Sequence, residues 1–167
     1  MLALYIYTNK TFMHKLLLGN TFDIFSLAEA SITTFSQFHI DGKLHMDFFD
    51  TDTAQHLSEN DIIYASWKDM KSYCYSIIRG KLPPLQFKIV MRLSPSQANP
   101  LSTDNKFSIS DSEISDLFLN IQYKNNELIC TTGIFSNFFT LDKTSETIWD
   151  TIVLDFFKLH QIDFTIL

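Results

Sequence analysis

The chain has 167 residues, 46% hydrophobic and 19% charged, which is one domain's length and enough to bury a sizeable core without disulfides or a structural metal. Its 16 Phe, 6 Tyr and 2 Trp exclude a disordered chain, and only four Gly and four Pro exclude collagenous, linker-like and Pro-rich classes. The net charge of -6 argues against generic binding to nucleic acid or anionic membrane and leaves room only for a local basic patch.

Taken in chain order, Leu2 to Tyr7 reads as a buried strand ending at a Thr8-Asn9 cap. Phe12, Met13, Leu16 and Leu17 then lie on one side of a short helix that Gly19 stops. From Ile24 to Phe49 the pattern is strand-like, and Asp41-Gly42 between two such runs predicts a two-residue type I′ hairpin turn. The polar stretch from Asp50 to Asn60 reads as a loop. Ser66 opens a helix whose stripe is Trp67, Met70, Cys74, Ile77 and Ile78, with Gly80 and Pro83-Pro84 ending it.

Leu85, Phe87, Ile89, Met91 and Leu93 alternate with Gln86, Lys88, Val90 and Arg92 as one half-buried strand. Residues 94–116 are rich in Ser, Asp, Asn and Pro and predict a long surface loop with room for a helical turn. Leu117 to Lys124 and Leu128 to Thr132 form a hairpin around Asn125-Asn126, placing Leu128, Cys130 and Thr132 on the face of Leu119 and Ile121. Ile134 to Leu141 reads as a further strand. A last helix begins near Thr144 and carries Ile148, Trp149, Ile152, Val153 and Phe156 on one side. Hairpins dominate and strands do not alternate regularly with helices, so the expected architecture is a single α+β domain, residues 1–167, with a mainly antiparallel sheet.

Most chemistry fails on spacing. The four glycines are isolated, so there is no phosphate-cradling loop, dinucleotide fingerprint or nucleophile elbow. Cys74 and Cys130 lack a CxxC partner and a His at ligand spacing, which points to two buried thiols in a reducing cytosol. Cys74 lies on its helix's apolar stripe, where a thiol is inert packing. MLALYIYTNK has no basic stretch before its apolar run, so it does not read as a signal peptide, and no apolar run is long enough to span a membrane. No cofactor is implied, and the expected location is cytoplasmic.

Two residue sets remain as candidate sites. Lys10 and Lys15 on the first helix, with Lys68, Lys71, Arg79 and Lys81 on and after the second, gather six of the 13 basic residues on two helices of an acidic protein. Such a pair could lie against a phosphate backbone, although charged exposed faces are also the ordinary condition of helices. The second set is His39, His45, Asp47, Asp50 and Asp52. From it, His45, Asp47, Asp50 and Asp52 could hold a divalent cation for a metal-dependent hydrolase, although solvated histidines and a capping loop account for the same residues. Aromatics that do not fit the buried stripes, namely Phe118, Phe138 or Phe139, and Phe157, place an apolar interface, such as a homodimer's, in the C-terminal half. A small apolar ligand in an aromatic-lined cavity is a third reading.

The stretches KLLLGNTFD, EASITTF, IDGKLH, IIRGKLPPLQFKIVMRLSP, LFLNIQYKNNELICTTG and FTLDKT resemble an uncharacterised family of short proteins from anaerobic Firmicutes. That resemblance implies a bacterial cytoplasmic protein and no catalytic residue. The order strand, helix, strands, helix, strands also looks like one repeat of a DNA sliding clamp, whose two helices face DNA while the whole protein stays acidic. A clamp strings several repeats together and this chain has room for one, so no residue is carried over from it. The sequence therefore predicts a non-catalytic interaction protein, with a metal-dependent hydrolase and an apolar-ligand binder as the alternatives.

Overall fold

Alternating apolar and polar residues assemble into one seven-stranded sheet in the computed structural model, which describes residues 1–102, 108–110, 112–139 and 141–167. The strands are β1 (Ala3–Ile6), β2 (Ser26–Thr33), β3 (Gln37–Asp41), β4 (Gln86–Leu93), β5 (Ile114–Lys124), β6 (Glu127–Ser136) and β7 (Phe164–Ile166). They lie in the order β3-β2-β4-β5-β6-β1-β7, and every neighbouring pair is antiparallel. Among the described residues five α-helices accompany them: α1 (Asn9–Leu17), α2 (Thr51–Glu59), α3 (Trp67–Ile78), the one-turn α4 (Pro95–Ala98) and α5 (Thr144–Leu159). The α+β class and the antiparallel sheet are as the sequence predicts.

Register puts the apolar set on one face. Ile89, Ile121, Cys130 and Leu4 align across four strands, with Met91, Leu119 and Thr132 beside them, and all are buried. Over this face lie α1, α3 and α5. The Phe12 and Phe157 rings meet at 6.3 Å and those of Phe22 and Phe156 at 5.7 Å. The Trp67 indole donates to the Leu16 carbonyl (2.9 Å) and the Trp149 indole to that of Phe118 (3.0 Å), so both large rings bury their polar edge satisfied. Each such side chain contributes roughly 1.5–3 kcal/mol through burial. The reverse face carries Ser31, Lys88, Gln122 and Ile129 in one row, all exposed or half-buried.

Several local expectations are corrected. Asp41-Gly42 is not a hairpin turn: β2 and β3 are joined through Thr34–Ser36, with Thr33 paired to Gln37. Gly42 has no positive φ, and its real constraint is contact, since a Cβ there would sit 1.8 Å from the Leu27 carbonyl oxygen. That close approach falls where β2 bulges between Leu27 and Glu29. The positive φ pair belongs to Asn125 and Asn126 (54° and 63°), which form the predicted turn between β5 and β6. Ile121 pairs with Cys130 and Leu119 with Thr132, as the alternation requires.

The stretch 51–59 is helix α2, not loop, because its ends are capped. Asp50 accepts from the Thr53 N–H (2.7 Å) and the Asn60 side chain donates to the His56 carbonyl (2.8 Å). Residues 134–136 continue β6 and do not start a new strand, Leu85 precedes β4 and is exposed, and the chain after α5 adds the short strand β7 to the predicted elements. Phe157, expected to be left over, is buried against Phe12, Phe156 and Phe164. In the 94–116 segment, α4 and a 3-10 turn at Asn99–Leu101 supply the helical turn, and Asn99 exchanges two hydrogen bonds with buried Ile109. Residues 103–107 and 111 of that segment, and residue 140 of the strand expected at 134–141, lie outside the described residues.

Candidate binding groove

Helices α1 and α3 lie side by side and antiparallel. The Trp67 indole reaches the Leu16 carbonyl, while the Lys71 ammonium donates to the Gly19 carbonyl (2.7 Å) and to Asp23 (2.6 Å), so the start of α3 sits at the end of α1. Along α1 and beside the last turn of α3 the two helices leave a groove of about 410 Å³. Its apolar lining includes Met13, Leu17, Ile78, Phe87 and Tyr123, with Pro83 and Pro84 on one wall. Lys10 and Arg79 supply its cationic groups, with the His14 imidazole beside them, and among the described residues no carboxylate side chain lines it.

Local sequence explains the shape. Arg79 leaves the helix in an extended conformation (φ -65°, ψ 138°), and Gly80 and the two prolines carry the chain across to β4. Phe87 and Tyr123 are cross-strand partners whose rings stack at 5.2 Å with 14° between planes. The Tyr123 hydroxyl donates to Asn126 (2.8 Å), and Asn9 donates to the Asn126 carbonyl (2.8 Å), tying the start of α1 to the β5–β6 turn. Among the described residues the buried Oδ1 of Asn9 has no hydrogen-bond partner. The Arg79 guanidinium stands 5.8 Å from the centre of the Tyr75 ring.

A second apolar hollow of about 830 Å³ adjoins the first, and Arg79 and Pro83 line both. Phe35, Phe38, Ile77, Leu82 and Leu85 line it, with Phe35 95%, Leu82 83% and Leu85 70% exposed. Ile77 and Ile78, neighbours in sequence, thus serve different hollows.

The six predicted basic residues divide. Lys10 and Arg79 come together at the groove, while Lys68 on the first turn of α3 and Lys81 beyond its end are exposed. Lys15 is half-buried near His160. Lys71 is held by Asp23 and Gly19, its side chain only 16% exposed. The apolar floor escaped the sequence reading because Met13 and Ile78 fit a core stripe, and Phe87 and Tyr123 meet only through strand pairing.

The acidic set is arranged differently. His45 precedes a 3-10 turn (Met46–Phe48) that contains Asp47, Asp50 caps α2, and Asp52 lies in the first turn of α2. The Thr53 backbone N–H holds the Asp50 carboxyl below the usual range. His39 lies in β3 opposite Ser31 and lines a cleft of about 480 Å³ with Glu29 and Asp41. Among the described residues no three His, Cys, Asp or Glu side chains gather so as to hold a metal ion. Both thiols are buried, and burial pushes Cys74 up to about 11 and raises Cys130 as well. Among the same residues no helix is long and apolar enough to cross a membrane.

These features define an α+β protein with an antiparallel sheet, helix-covered on one face, and a cation-rimmed apolar groove where two of the helices part. The chain belongs to the Family of unknown function (DUF5721), whose model matches residues 15–165. No curated protein and no solved structure matches it.

Proposed function

We propose that this is a non-catalytic interaction protein that uses the groove between α1 and α3 to hold an anionic, partly apolar ligand. One observation carries the reading: an apolar lining with Lys10 and Arg79 and, among the described residues, no carboxylate, in a chain of net charge -6. Charge alone would suit a phosphate backbone, but a floor of Met13, Ile78 and stacked Phe87 and Tyr123 recovers energy only from apolar contact. Lys71, already paired with Asp23, is not available to a nucleic acid without breaking that pair.

The anionic aromatic dye 1-anilinonaphthalene-8-sulfonate tests this directly. The native chain should bind it with a fluorescence increase, and the double variant Lys10→Glu with Arg79→Glu should weaken binding at least about tenfold, worth about 1.4 kcal/mol, with an unchanged circular dichroism spectrum. Equal binding by wild type and variant, or none by either, overturns the proposal.

A further inference from the structure

The two hollows that meet at Arg79 select for more than negative charge, an inference that rests on the groove being the binding site. Arg79 and Pro83 line both, so one guanidinium stands between an apolar site around Ile78 and another around Ile77. The second hollow is roughly twice the size of the first and is lined by side chains that the fold leaves in water, above all Phe35, Leu82 and Leu85. Aromatic and aliphatic residues exposed together in this way mark an interaction surface.

We infer that the occupant is a peptide segment of a partner protein carrying a carboxylate between two apolar anchors. The carboxylate meets Arg79, one anchor enters the groove beside Met13, and the other covers Leu82 and Phe35. Charge complementarity selects the acid: Lys10 joins Arg79 in the groove lining, and among the described residues no carboxylate lines either hollow. A compact amphipath such as a fatty carboxylate would fill one hollow and leave the other uncovered. An extended or helical peptide spans both because its side chains leave one backbone at regular intervals.

A random 12-residue peptide library displayed against the full chain reads out the rule. Selected peptides should share an acidic residue with apolar residues on both sides. Their affinity should fall about tenfold or more on Arg79→Glu, and by several-fold on Leu82→Ser, a substitution at an exposed position that leaves folding intact. Dye binding in the first groove should survive Leu82→Ser. If dye binds but the peptides lack an acid, or ignore Leu82→Ser, the bipartite peptide is wrong and the groove reading stands. Oligonucleotide binding in place of peptide, lost on Arg79→Glu and insensitive to Leu82→Ser, also overturns it. Failure of dye and peptides together removes both.

Discussion

Single groups in this fold are set by what surrounds them, and His160 shows how. It ends α5 with its ring 4.5 Å from that of Phe156, where desolvation first and the Lys15 charge second lower its pKa from the ordinary imidazole value. A helix C-terminus ordinarily favours a cation, so here burial outweighs the dipole. Because the folded state prefers the neutral ring, the unfolded chain takes up the proton first. Stability from this group is therefore complete above about pH 6.5, the unperturbed value, and is lost as pH falls through the lower folded value. Asp50 and Asp142, whose carboxyls are held below their usual range by hydrogen bonds from Thr53 and Thr144, lose their contributions only in stronger acid. Thermal unfolding between pH 7 and 5 should consequently fall more steeply in wild type than in His160→Gln. Parallel curves would show that the ring does not carry this dependence.

At the level of elements, α2 and α5 are helices for opposite reasons. Trp149, Ile152, Val153, Phe156 and Phe157 bury one side of α5, whereas α2 buries no residue and depends on its caps and on the Gln55 to Glu59 hydrogen bond (2.7 Å). Asp50→Ala should therefore reduce amide-exchange protection within α2 by roughly fivefold and leave exchange in α5 untouched. Loss of protection throughout the molecule would show that α2 supports the core after all. The same contrast explains what could be read ahead. Periodicity exposes elements that bury a face, so α1, α3, β4, the β5–β6 hairpin and α5 were legible. Helix α2 has no stripe to show, and β7 is three residues that become a strand only by pairing with β1. Gly42 next to an Asp matched a turn pattern, but tertiary contact with Leu27 was the stronger constraint. The basic helices were visible as charge, while their apolar floor needed Phe87 and Tyr123 to be brought together by register.

Across the whole molecule, one excursion stands apart from the sheet and separates the competing functional readings. Gly42 and Ala65 lie against β2, with Gly42 N–H donating to the Ala28 carbonyl (3.0 Å), Leu27 N–H to that of Ala65 (2.9 Å) and Ala65 N–H to that of Gly42 (2.8 Å). Farther out, Leu44 N–H donates to the Ile63 carbonyl (2.9 Å), so the two ends of the intervening chain are already adjacent. Between them no residue is buried, yet the segment holds His45, Asp47, Asp50 and Asp52, the whole candidate cation set. The groove draws on α1, α3, β4 and β5 and takes nothing from it. Replacing residues 45–62 with a short Gly-containing turn should thus be tolerated, because adjacent ends make closure of a shorter loop inexpensive. We expect the shortened chain to unfold cooperatively within a few degrees of wild type, since surface changes away from packed features typically alter stability by about 0.5 kcal/mol or less. It should also keep its dye and peptide binding. Should folding survive while binding disappears, or should a divalent-dependent hydrolysis be found in wild type and lost with the segment, the functional centre lies in the excursion and the groove is a structural seam.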